Sequence, residues 1–257
     1  MPTVAELMLS LCKQWVSQKI WKRINLNWRL SSGIEIQLTC RSDWDIYNEI
    51  FVDLDYDAPI LATLRDASTK PSQVTVLDLG ANVGFFGLRW LHLQIETKFT
   101  GRSLGYFVEG GRDVYETLRR RLDPMTGTLM DARCIHGLAG EKKGDTLFHR
   151  SPAHFGNSVH ATNSGVSEKV SYVNLDQLCQ DSERIHLIKC DIEGSEETWI
   201  TSYPELLAKT DRLVIELHKN QVNIENCDRL IRMAGFDHSE ILKDRPEFIV
   251  VHYWRYS

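Results

Sequence analysis

The stretch Val76 to Trp90, VLDLGANVGFFGLRW, limits the chain more than any other. An apolar run reaches Asp78, passes through Gly80 and Gly84, and turns apolar again. The run before the first glycine reads as a buried strand, and the run after the second as a helix. Glycine suits a strand-to-helix turn whose backbone must lie close to another group. Asn82, between the two, tolerates left-handed geometry better than most residues. The free amides opening the helix then face the crevice beyond the strand's carboxyl end, where open α/β sheets hold ligands.

The same alternation recurs downstream. LGYFVEG (Leu104 to Gly110) is the second expected strand, followed by a helix with Val114, Leu118 and Leu122 on one face. ARCIHGLAG is a third, short strand, IHLIKCDIEG (Ile185 to Gly194) a fourth, and RLVIELH (Arg212 to His218) a fifth. ENCDRLIRMAGF reads as a helix stopped at Gly235, and FIVVHYW (Phe248 to Trp254) closes the chain as a strand. Apolar strands alternating with helices predict a mostly parallel sheet covered on both faces, ending in a hairpin with one antiparallel strand. Residues 71–257 form this domain. Residues 1–70 read as an appendage: a helix from Val4 with Leu7, Met8, Leu11 and Trp15 at helical spacing, a strand over Gly33 to Cys40, and two short helical pieces over 43–64. An insertion over 141–184 carries the strand-like runs DTLFHR and KVSYVNLDQL around a turn-rich loop at 150–165. Its His149, His154 and His160 read as solvated loop histidines, and the loop as mobile and suited to cover the crevice.

Composition excludes several classes. With 257 residues and a net charge of −5, the chain has no global basic field for nucleic acid. Its six cysteines are scattered with no zinc spacing, no apolar run is long enough to span a bilayer, and no secretory signal opens it, so a reduced, cytoplasmic protein is expected.

The turn D-x-G-x-N-x-G, Asp78 to Gly84, fits a dinucleotide poorly: it departs from G-x-G-x-x-G and puts a carboxylate where a pyrophosphate would sit. S-adenosylmethionine, with its sulfonium and ammonium, suits an acid there. Glu109, ending the second strand, is placed to accept from both ribose hydroxyls.

VLDLGANVGFFGLRW, VEGG, VNLDQL, LIKCDIEGSEE and LVIELH stand in the order seen in FkbM-like methyltransferases, which the chain resembles from about EIFVDLDYDAPI to Phe236. The string Ile188 to Glu196 is the most specific part. The resemblance implies a Rossmann-like class I fold, a mostly parallel seven-stranded sheet with an antiparallel last strand, and O-methylation of hydroxyls on natural products or sugars with S-adenosylmethionine. It implies a cofactor loop of Asp78, Gly80, Ala81, Asn82 and Gly84, with Phe85 starting the covering helix. It also implies a ribose site at Glu109 and Gly110, and an adenine border near Gly137 and Leu138. Asn157 and Ser158 are implied near cofactor or acceptor.

Methyl transfer to a hydroxyl needs positioning and a base. Asp191 at the fourth strand end, Glu193 just after it, and Glu216 and His218 on one face of the fifth form an acidic rim expected to bind and activate the acceptor, with Asp191 or His218 as base. Asp191 also borders the cofactor. Singly, Glu193 and Glu196 read equally well as helix-starting acids. A divalent ion on Asp191, Glu193 and His218 ranks below the metal-free reading. The alternatives are an N-methyltransferase acting on an amide or amine, including one on a protein, and a non-catalytic S-adenosylmethionine-binding module. A nicotinamide dehydrogenase ranks last.

Overall fold

Strand β3 (Val74–Leu79) is buried at every residue, which requires covering on both faces. The computed structural model describes residues 19, 26–68, 73–127, 129–149 and 167–255. The expected N-terminal helix apart from Lys19, the turn at 70–72, and the loop with His154, Asn157, Ser158 and His160 lie outside the described residues.

Around β3 stand β4 (Ser103–Glu109), β5 (Met130–His136), β8 (Leu187–Cys190), β9 (Arg212–His218), β10 (His238–Asp244) and β11 (Phe248–Trp254). The seven-stranded order is β10-β11-β9-β8-β3-β4-β5. β3, β4, β5, β8 and β9 pair in parallel, and β11 runs antiparallel to both its neighbours. Alternate residues serve opposite cores. Val74, Val76, Leu187 and Val214 pack with helices Asp57–Ser68, Phe85–Glu96 and Arg112–Leu122 on one side. Leu77, Leu79, Ile188 and Ile215 pack with helices Glu196–Ser202, Pro204–Ala208 and Ile224–Met233 on the other. Leu118 and Leu122, placed on one helical face by the sequence, are fully buried.

The chain turns back on itself at β3: β4 lies to one side of it, and β8, reached through the insertion, lies to the other. This is the switch point, and the crevice opens at its carboxyl end.

Five sequence expectations need correction. The third strand begins two residues earlier than expected and ends at His136: Gly137 N–H makes the last bond to β4, at Glu109 O, and Leu138 then bridges to Tyr172 instead. The fourth ends at Cys190 rather than Gly194, since Glu193 (φ 51°) and Gly194 (φ 94°) turn the chain in left-handed geometry. KVSYVNLDQL is split between β7 (Ser167–Ser171), antiparallel to β6 (Asp145–His149), and a helical turn Leu175–Leu178 capped by the Asn174 side chain. His149 ends β6 and so is a strand residue, not a loop one. Finally, β10 exists although no strand was expected there: its partner β11 supplies the ladder.

Near the N-terminus, β1 (Leu26–Arg29) and β2 (Glu35–Leu38) make a hairpin whose Ile34, Ile36 and Leu38 share the core of β3. Arg121 ties this end to the sheet. It donates to Gln37 O and Asp43 Oδ2, both at 2.9 Å, and to Val83 O at 3.0 Å.

Candidate active site

The turn after β3 is held by its own backbone. Gly80 N and Ala81 N donate to Val108 O at 3.0 and 2.9 Å, and Asp191 N donates to Leu79 O at 3.0 Å. Gly80 (φ 75°), Asn82 (φ 47°) and Gly84 (φ 88°) are all left-handed, Asn82 as its residue type allows. A Cβ on Gly80 would lie 1.8 Å from Asp191 O, so the group that comes close there is the backbone leaving β8. At Gly84 the nearest atom would be Leu118 Cδ1 at 3.0 Å, so that glycine serves helix packing.

Of the residues expected at the cofactor, Gly80, Asn82, Glu109, Gly110, Gly137, Leu138 and Asp191 line one crevice, joined by Phe148, Glu193 and Ser195. Asp78, Ala81, Gly84 and Phe85 are buried and do not line it. Phe85 sits edge-on to Tyr47 and Phe51, with the Arg121 guanidinium 4.4 Å from its ring centre.

Glu109 closes the ring. Its Oε2 accepts from Asn82 N at 2.9 Å and its Oε1 from Gly111 N at 2.7 Å, so it binds the β3 turn to the end of β4. Burial pushes its carboxyl up to about 7, against the pull of those two amides. Each oxygen keeps a second lone pair for a further donor.

Sequence reading missed Lys189, although a lysine inside the buried run LIKC is a signal. Parallel register sets it beside Asp78. Its Nζ lies 3.3 Å from Asp78 Oδ1, donates to Gly80 O at 2.8 Å, and lies 3.7 Å from Asp191 Oδ2. Asp78 is wholly buried, and neither of its oxygens has a hydrogen-bond partner among the described residues. Burial pushes its carboxyl up to about 6, with Lys189 opposing. Burial alone would lower Lys189, but Asp78 and Asp191 outweigh it and hold the ammonium above its usual range. Lys189→Met is therefore expected to cost ~3–5 kcal/mol, the loss when one partner of a buried pair is removed. Urea unfolding checks this. The double variant with Asp78→Asn should recover most of the loss, and a double no more stable than the single would refute the pairing.

The expected rim is assembled from two strand ends. Asp191 and Glu193 follow β8, and Glu216 and His218 end β9 on one face, as the two-residue period requires. His218 Nε2 lies 3.3 Å from Glu193 Oε2 and 3.5 Å from Glu216 Oε1. Its Nδ1 meets Oε1 of the fully buried Glu196 at 2.8 Å, a partnership the sequence did not disclose. Burial would lower the imidazole, but Glu193 and Glu196 overcome it and raise His218 to about 11. Burial first, and Asp191 second, push Glu216 up to about 9. Burial also raises Asp191, with Lys189 opposing. Asp191 and Glu193 line the crevice and belong to the rim, so the two regions meet at these two side chains.

The sequence model described as Methyltransferase FkbM domain matches residues 78–243, which include the loop, Glu109 and the whole rim. Among solved structures, the methyltransferase FkbM of Methylobacillus flagellatus KT is 17% identical, with 71% of this chain and 44% of that chain covered and a TM-score of 0.49. The chain thus spans less than half the length of that relative. An S-adenosylmethionine-dependent methyltransferase from Agrobacterium tumefaciens is 10% identical over 90% of this chain and 70% of its own, with a TM-score of 0.47. The N-terminal domain of human METTL16 is 10% identical over 96% and 92%, also with a TM-score of 0.47. No curated protein matches the chain.

Proposed function

The chain belongs to the FkbM methyltransferase family, and we propose that it moves the methyl group of S-adenosylmethionine to a hydroxyl of a sugar or natural product. The observation carrying this reading is the junction at Asp191 and Glu193, where a glycine-walled crevice opens onto a rim of acids around His218. The crevice chemistry fits the cofactor. Glu109 has lone pairs left for a ribose diol, and Leu138 and Phe148 offer apolar surface for a base. When bound, S-adenosylmethionine supplies an electrophilic methyl on its sulfonium. This chain's residues would then hold the acceptor oxygen in line and take up its proton, which is the work of the rim. An amine acceptor is the second reading, favoured by the acidity of Asp191, Glu193 and Glu216 around one imidazole. A neutral amine asks less of a base, which supports oxygen first.

The test is transfer of labelled methyl from S-adenosylmethionine into a lysate of the source, separated into protein, sugar and small-molecule fractions. Label in the sugar or small-molecule fraction as a methyl ether is expected. Label confined to protein, or methylamine products, would reject the oxygen reading. Calorimetry should show micromolar binding of S-adenosylmethionine and none of NADH. Glu109→Ala is expected to weaken cofactor binding by ~1.5–3 kcal/mol, the range for hydrogen bonds to a charged group. Affinity unchanged in that variant would remove Glu109 from the ribose site.

A further inference from the structure

One donor atom each from Asp191, Glu193 and His218 lie within 4.8 Å of one another. Ligands about 2.1 Å from a first-row cation stand ~3.0 Å apart when cis in an octahedron and ~3.4 Å apart in a tetrahedron. His218 Nε2 and Glu193 Oε2, at 3.3 Å, already stand at that spacing.

The imidazole is also prepared as a ligand. Glu196, wholly buried, accepts from Gly194 N at 3.0 Å and from His218 Nδ1 at 2.8 Å. A carboxylate on Nδ1 orients the ring and leaves Nε2 to face the other acids, where a cation would displace the Nε2 proton, the arrangement by which metal-binding histidines are held. Independently, Asp191 Oδ1 and Glu196 Oε2 are sealed from solvent with no hydrogen-bond partner among the described residues. A cluster built only for hydrogen bonding leaves those oxygens unexplained. Lys189 does not answer for them: it meets Asp191 through the other oxygen, Oδ2, at 3.7 Å, and donates to Gly80 O. Four carboxylates (Asp191, Glu193, Glu196 and Glu216) thus stand around one imidazole.

We propose that Asp191, Glu193 and His218 form a divalent-cation site on the rim, and that the acceptor hydroxyl docks against that cation. The proposal deepens the reading of the rim as the activating part of the site and rests on it. One imidazole with two carboxylates suits a first-row ion such as Mn²⁺ better than Ca²⁺. The cation would act as a Lewis acid on the hydroxyl oxygen. The O–H bond breaks with its proton passing to Glu216, the rim carboxylate outside the cation site. The new O–C bond forms as the C–S bond breaks, and the bonding pair returns to sulfur, so the sulfonium leaves as a neutral thioether.

The experiment strips the full chain with EDTA and titrates it with MnCl₂ alone, by calorimetry and by the electron paramagnetic resonance of free Mn²⁺. One Mn²⁺ per chain is expected. Asp191→Asn and His218→Ala should weaken it by ~100-fold or more, and Glu196→Gln, a positioning change, by ~10–100-fold. Asp191→Asn keeps side-chain volume, so it stands as the test should His218→Ala fail to fold, and melting curves identify that failure. Uptake of none of Mn²⁺, Mg²⁺ and Zn²⁺, or uptake indifferent to all three substitutions, overturns the site. S-adenosylmethionine titrated into the same stripped sample separates the two readings. Cofactor binding with no cation binding overturns the cation site alone. Cation binding with no cofactor binding supports the site and overturns the cofactor reading.

Discussion

A Gly80→Ala chain is expected to lose more than ~4 kcal/mol of folding stability, a size reserved for changes with a specific structural cause. Two causes act together here. The residue sits at φ 75°, where a side chain is strained, and its Cβ would fall 1.8 Å from Asp191 O and 2.9 Å from the carbonyl carbon behind it. Those atoms are backbone and cannot rotate away. They are also pinned: Leu79 pairs with Cys190, Asp191 N donates to Leu79 O, and Lys189 Nζ holds Gly80 O. Relief would mean parting β3 from β8 at the centre of the sheet. Gly84→Ala is the comparison, with a similar φ of 88° but a flexible leucine methyl as first contact at 3.0 Å, so it should cost clearly less. Urea unfolding of both variants checks the order. Gly80→Ala within ~1 kcal/mol of wild type, the size of an ordinary substitution, would show that the strands can part there at little cost.

Asp191→Asn is expected to lower turnover by ~10²–10⁴, and His218→Ala by a similar factor, the range for losing a group that assists proton transfer. The side chain of Asp191 keeps its shape as asparagine but loses the charge that faces both the crevice and His218. Its work falls in the transition state, so the loss should appear in kcat, with cofactor affinity within a few-fold of wild type. A matching loss of affinity would mean that Asp191 instead orients the methionine end of the cofactor. Wild-type turnover in both variants would make the rim structural and leave positioning as the source of rate. Steady-state kinetics on the accepted substrate, with calorimetric cofactor binding, decides among these.

Legibility followed the range of the interaction. β9 and β11 fall on the residues expected of them, because each is an apolar run bounded by polar neighbours. β10, HSEILKD, carries no such pattern: it is largely exposed and owes its form to pairing with β11. The left-handed residues of the β3 turn were readable, since glycine and asparagine are the types that enter that region freely. The reason for Gly80 was not, because Asp191 O reaches it from the far side of the insertion.

The sequence by itself determined the alternation of strand and helix, the glycine turn, the acids at the strand ends and the family likeness they carry. These depend on neighbours within a few residues, where side-chain period and backbone preference act. Only the tertiary structure decided which charges meet. Lys189 reaches Gly80 across 109 residues and compensates Asp78, and the buried Glu196 orients His218 across 22. Strand order and register fix those partners, and both are set when two cores close on opposite faces of one sheet.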